Sequence, residues 1–73
     1  MVAVFNPVTI ILNGSVRPIE PGLTVSQLLR ELRLDPKFLA VEINRCVIPR
    51  QEHDRTELRQ DDAVEVVTLV GGG

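Results

Sequence analysis

The sequence predicts an α+β domain: a mixed sheet of four to five strands around one helix. Three observations carry that prediction. A strand–turn–strand unit opens the chain, one amphipathic segment follows it, and strand-prone segments follow that. The last of these is rich in β-branched residues and runs into three glycines, "VTLVGGG". The chain has 73 residues, room for a single core.

The opening unit is "VTIILNGSVRPIE". Asn13-Gly14 suits the positive φ values of a type I′ turn, so the flanking runs read as a hairpin. A two-residue turn sets Leu12 opposite Ser15, Ile11 opposite Val16 and Val8 opposite Ile19. Pro18 has no N–H to donate to a ladder, which makes the second strand an edge. In "PGLTVSQLLRELRLDP", Val25, Leu28, Leu29 and Leu32 form one apolar stripe at helical spacing. Thr24 and Gln27 form a capping-box pair, and Leu23 and Leu28 occupy the staple positions around it. Pro36 pushes Asp35 out of helical conformation and stops the helix after two to three turns.

Beyond the helix, "FLAVEIN" alternates strictly, with Leu39, Val41 and Ile43 on one side. "CVIP" is a short strand stopped by Pro49, and "RQEHDRTELRQDD" is polar and irregular, anchored by Leu58. "AVEVVTLV" lacks clean alternation and reads as a central strand apolar on both faces. A helix between the opening hairpin and the later strands favours parallel pairing of first and last strands. That arrangement is the β-grasp, or ubiquitin-like, architecture. Residues 1–70 are expected to form one domain, with 71–73 as a flexible tail leaving the central strand.

Composition excludes several functions. A net charge of −2 and only two aromatic residues, Phe5 and Phe38, argue against a nucleic-acid partner. One cysteine cannot form an internal disulfide and supplies too few thiols for an iron–sulfur cluster or zinc finger. No apolar run has the length of a membrane span, and "MVAVFNP" is unlike a secretory signal, so a cytoplasmic protein is expected.

The candidate working parts are few. His53 lies in a polar stretch and reads as a solvated surface residue; Cys46 reads as a small packing residue. Arg45 is expected on the strand face opposite Cys46, where it could not activate the thiol. Asp61-Asp62 reads as a turn. No bound cofactor and no metal site are expected. Val67 and Leu69, with Val47 and Ile48 as weaker candidates, are either a docking patch near the base of the tail or simply core. Gly71, Gly72 and Gly73 could lie extended in a narrow channel, because they carry no side chains.

Four stretches, "LNGSVRPIE", "VSQLL", "VEINRCVIPR" and "DDAVEVVTLVGGG", together resemble the ThiS-type sulfur carriers of thiamin biosynthesis. The resemblance covers nearly all the chain except its first half-dozen residues. Two departures stand out: Gln51-Glu52-His53 replaces a segment that commonly carries a tryptophan, and Asp61-Asp62 replaces a common Gly-Asp. The resemblance implies a protein co-substrate, not an enzyme. A ThiF-like adenylyltransferase would join the Gly73 carboxylate to AMP, using ATP and Mg²⁺ of its own. Sulfur from a cysteine desulfurase or rhodanese-like donor would then displace AMP to leave a thiocarboxylate. A ThiG-like thiazole synthase would take that sulfur. The alternatives are a carrier subunit of molybdopterin synthase type and a non-catalytic β-grasp interaction module.

Overall fold

The computed structural model describes residues 6–69. Five strands, β1 Val8–Leu12, β2 Ser15–Ile19, β3 Leu39–Ile43, β4 Cys46–Ile48 and β5 Ala63–Thr68, and one helix, α1 Val25–Glu31, make up the fold. Short 3-10 turns lie at Pro36–Phe38 and Arg50–Glu52. The sheet order is β2-β1-β5-β3-β4. β5 runs parallel to β1 and antiparallel to β3, so the last strand is central and the sheet is mixed. This is the β-grasp arrangement the sequence predicts.

The opening hairpin has the predicted register, with Leu12 opposite Ser15 and Val8 opposite Ile19. Asn13 and Gly14 take φ of 48° and 84°, the left-handed pair that a type I′ turn needs. β2, which holds Pro18, is an edge strand. At the helix start the Thr24 hydroxyl accepts from the Gln27 amide, and the Gln27 side chain accepts from the Thr24 amide. The Val25 and Ser26 amides donate to the carbonyls of Thr56 and His53. The polar segment after β4 therefore completes the helix N-terminus, satisfying donors that lack an intrahelical partner. At the other end, Leu34 donates to Leu29 and Arg33 to Arg30, a Schellman closure. Arg33 stands there at φ 58°, where glycine is the usual occupant.

Val25, Leu28 and Leu29 of α1 pack on Ile10, Ile19, Leu39, Val41 and Val64 of the sheet, and Leu23 and Leu58 belong to the same buried cluster. Ile10, Val25, Leu28, Val41 and Val64 lose all their exposure. Each such side chain contributes about 1.5–3 kcal/mol of transfer free energy relative to an exposed one. Leu32, the last member of the predicted stripe, caps the helix and is only partly buried.

Four expectations are corrected. β5 is not apolar and buried on both faces: Val64 is fully buried and Val66 partly, but Ala63, Glu65 and Val67 are exposed. One helix can cover one face of a sheet, and among the described residues no second layer covers the other. His53 is not a solvated surface residue but only 4% exposed. The turn at Arg50–Glu52 folds back, with the His53 amide donating to the Arg50 carbonyl, and directs the imidazole inward. Its Nε2 lies 3.1 Å from the Ile48 carbonyl, so burial does not strand that nitrogen. The segment that departs from the resembled family thus still sends one side chain into the interior. Cys46 is exposed, not packed, because it opens the edge strand β4. Arg45 lies in no strand. With Asn44 it forms the β3–β4 turn, at φ 69° and 52°.

Candidate functional site

The predicted working end, Gly71 to Gly73, lies outside the described residues, as does Val70, the expected boundary between domain and tail. What the structure describes is the mount from which that segment continues. β5 is held from both sides. On one side it pairs with β3 from Leu39–Thr68 to Ile43–Val64. On the other, β1 pairs only at Ile11–Ala63 and Leu12–Val64 before the hairpin turns away.

Asn13 makes up the shortfall. Its side-chain Oδ1 accepts from the Val66 amide at 2.8 Å, and its Nδ2 donates to the Val66 carbonyl at 3.3 Å. A side-chain amide has the donor and acceptor of a peptide group, so Asn13 prolongs the ladder past the end of its own strand. Asn44 does similar work at the start of β5. Its Oδ1 accepts from the Ala63 amide at 2.9 Å, and its Nδ2 donates to Asp62 at 3.0 Å. The other Asp62 carboxylate oxygen accepts from the Arg59 amide, closing the turn that precedes β5. Asp61 in that turn stands at φ 68°, which bears out the turn reading of the acidic pair. Each asparagine thus holds a left-handed turn with its backbone and braces the central strand with its side chain.

Among the described residues, nothing covers the sheet face away from α1. Its outward row nearest the tail sets Val67 of β5 opposite Ala40 of β3. The next row sets Glu65 opposite Glu42, with Val47 of β4 beyond Glu42. Past β5 the Leu69 amide donates to the Phe38 carbonyl at 2.7 Å, continuing the ladder one bond towards the tail. Val67, Leu69 and Val47 are 46%, 55% and 65% exposed, and Phe38 is exposed as well. The structure therefore brings Val67, Leu69 and Val47 onto the open side and separates Ile48 from them. Ile48 pairs with the fully buried Val41 and is half-buried, since neighbours on a strand face opposite ways.

Phe38, Glu42 and Glu65 belong to this surface but did not emerge as candidates from the sequence. The alternation of "FLAVEIN" sets Glu42 on the side opposite Leu39, Val41 and Ile43, yet only the β3–β5 register sets it against Glu65. Elsewhere, Ser26 donates to Asp54 beside the helix, in a groove that Leu29, Leu34 and Pro36 also line. His53 faces the Ile48 carbonyl, so these three do not form a catalytic relay. Among the described residues, no group of three or more His, Cys, Asp or Glu side chains could hold a metal ion, and no helix is long and apolar enough to cross a membrane.

Comparison with known proteins agrees with this geometry. Residues 10–73 match the ThiS family. The sulfur carrier protein ThiS of Thermus thermophilus is 40% identical over 62 residues, 85% of this chain and 95% of that protein. The crystal structure of the thiamine biosynthesis protein ThiS from Geobacter metallireducens superposes with a TM-score of 0.79 at 30% identity, covering 90% of this chain and 100% of that one. The thiazole synthase of Magnetococcus marinus is 41% identical over 62 residues, 85% of this chain, although the chain spans only 19% of that protein's length. An open-faced β-grasp whose central strand leads into three glycines, matched along its length by named sulfur carriers, is thereby placed: the chain belongs to the ThiS family of sulfur carrier proteins.

Proposed function

We propose that this chain carries sulfur as a thiocarboxylate on Gly73 and delivers it to thiazole formation in thiamin biosynthesis. The observation that carries the reading is the family match, which extends through the glycines to residue 73. The chemistry is consistent. An α-carboxyl titrates near pH 3.3–3.7, so about neutrality it is an anion and resists nucleophiles. Adenylation by a ThiF-like enzyme replaces that anion with an acyl phosphate. The carboxylate oxygen attacks the α-phosphorus of ATP, and pyrophosphate leaves. The outer sulfur of a persulfide on a cysteine desulfurase or rhodanese-like donor then attacks the acyl carbon, and AMP leaves. A thiol cleaves the resulting acyl disulfide, releasing the thiocarboxylate and leaving the donor sulfur in a disulfide with that thiol. ATP and Mg²⁺ belong to the partner enzyme.

In this reading the body of the domain performs no reaction. Its part is to present the tail from a braced strand, and Gly71 and Gly72 let that tail thread a narrow channel. Val67, Leu69 and Val47 offer the enzymes an apolar landing beside the tail, with Ile48 beneath them on the helix side. A ThiG-like thiazole synthase as acceptor draws support from the thiazole synthase whose own chain contains a segment similar to this one. A molybdopterin-synthase-type subunit and an interaction module have no comparable observation behind them.

The test is intact-mass measurement after incubation with ATP, Mg²⁺, the cognate adenylyltransferase, a persulfide sulfur donor and a thiol reductant. The mass is expected to rise by one oxygen-to-sulfur exchange, and deletion of Gly73 to abolish the rise while leaving the folded spectrum unchanged. An unchanged mass with an adenylyltransferase that is active on another carrier would overturn the proposal.

A further inference from the structure

The open face carries a charge arrangement that folding does not explain. Glu42 and Glu65 are direct partners in the β3–β5 register. Residues so placed on one face have Cβ atoms about 4.5–5.5 Å apart, and like charges there destabilise the pair. Among the described residues neither makes an ion pair; the ion pairs found there join Arg17 to Glu31 and Arg55 to Glu52. A threonine or a lysine at either position would suit an exposed strand better. The pair is moreover set among apolar groups. Val47 adjoins Glu42, Val67 and Ala40 form the next row, and Leu69 follows.

We propose that Glu42 and Glu65 form a two-carboxylate seat for one cationic side chain of a protein partner, with Val47, Val67 and Leu69 as the apolar surround. Arginine fits best, because its planar fork of donors can bridge two carboxylates at once. The complementarity decides the occupant. A second copy of this chain laid face to face would bring four carboxylates together with no cation between them, so the partner is a different protein with a basic centre in an apolar patch. Binding would turn a repulsion in the free chain into a pair of charge-assisted hydrogen bonds. The carboxylates then favour the complex and disfavour the free fold.

That opposition gives the test. The identity of the probes rests on the sulfur-carrier reading; they are the purified cognate adenylyltransferase and thiazole synthase, each titrated calorimetrically with the full chain at low and high salt. The double variant Glu42→Gln/Glu65→Gln is expected to melt at or above the wild-type temperature. It should bind at least one enzyme about tenfold or more weakly, with a shallower salt dependence. Unchanged affinity for both enzymes would overturn the proposal. So would a fall in melting temperature that accompanies weaker binding, since the pair would then be serving the fold. Sedimentation of the free chain addresses self-association: a monomer is expected, and a dimer strengthened or weakened by the double exchange would overturn the proposal. Sulfur loading of the wild type, followed by mass under the same conditions, reports separately on the carrier function.

Discussion

The two faces of β5 both carry valine and do opposite things. Val64 and Val66 face α1 and are drawn into the core, while Val67, one residue further on, is 46% exposed. The valines cannot tell the faces apart; the helix does, by covering one side only. The apolar content of a strand thus overstates how much of it is core whenever the fold has a single covering layer. The valine on the bare side is then free to serve as a contact surface.

The same substitution on the two faces breaks or confirms this contrast most sharply. Val64→Asp buries an unpaired carboxylate and is expected to cost more than about 4 kcal/mol, enough to unfold a domain of this size. Val67→Asp should stay within about 0.5 kcal/mol of wild type in denaturant titration, yet abolish measurable binding to the adenylyltransferase. Equal losses at both sites would mean that the faces are not distinct. Next in size is Asn13→Ala, which strands the Val66 amide and carbonyl and also puts alanine at positive φ. A loss of about 1–3 kcal/mol is expected. Asn13→Gly relieves the backbone but not the ladder, so a remaining deficit by the same titration measures the brace alone. Thr24→Ala removes the capping hydroxyl and should cost about 1 kcal/mol. Smallest, and of opposite sign, Arg33→Gly releases a left-handed arginine at the helix end and should raise stability by about 0.5–1 kcal/mol, visible as a higher melting temperature.

The fold was legible where local chemistry has few solutions. Asn13-Gly14 imposed a turn and a register, Thr24 and Gln27 marked a helix start, and Pro18 pointed to an edge strand. It was illegible where a residue's fate depends on the tertiary path. His53 sits among polar neighbours, but the turn at Arg50–Glu52 aims it inward at the Ile48 carbonyl. Cys46 looked like packing until β4 proved to be an edge, and Arg45 looked like a strand residue until it proved to be a turn. Val47 and Ile48 were grouped as neighbours in sequence, although strand geometry sends them to opposite faces. The Glu42–Glu65 pairing was hidden for a further reason: residues 23 positions apart become neighbours only through the register of two antiparallel strands.

The exposed thiol of Cys46 supplies the most direct trial of the whole account. It is a chemically reasonable rival holder of sulfur, as a persulfide, on a domain argued to do no chemistry with its side chains. Fragmentation mass spectrometry of the sulfur-loaded chain locates the added mass. The account predicts that it resides entirely in the fragment ending at Gly73, with Cys46 unmodified, whereas sulfur found on Cys46 with an unaltered terminal carboxylate would contradict it.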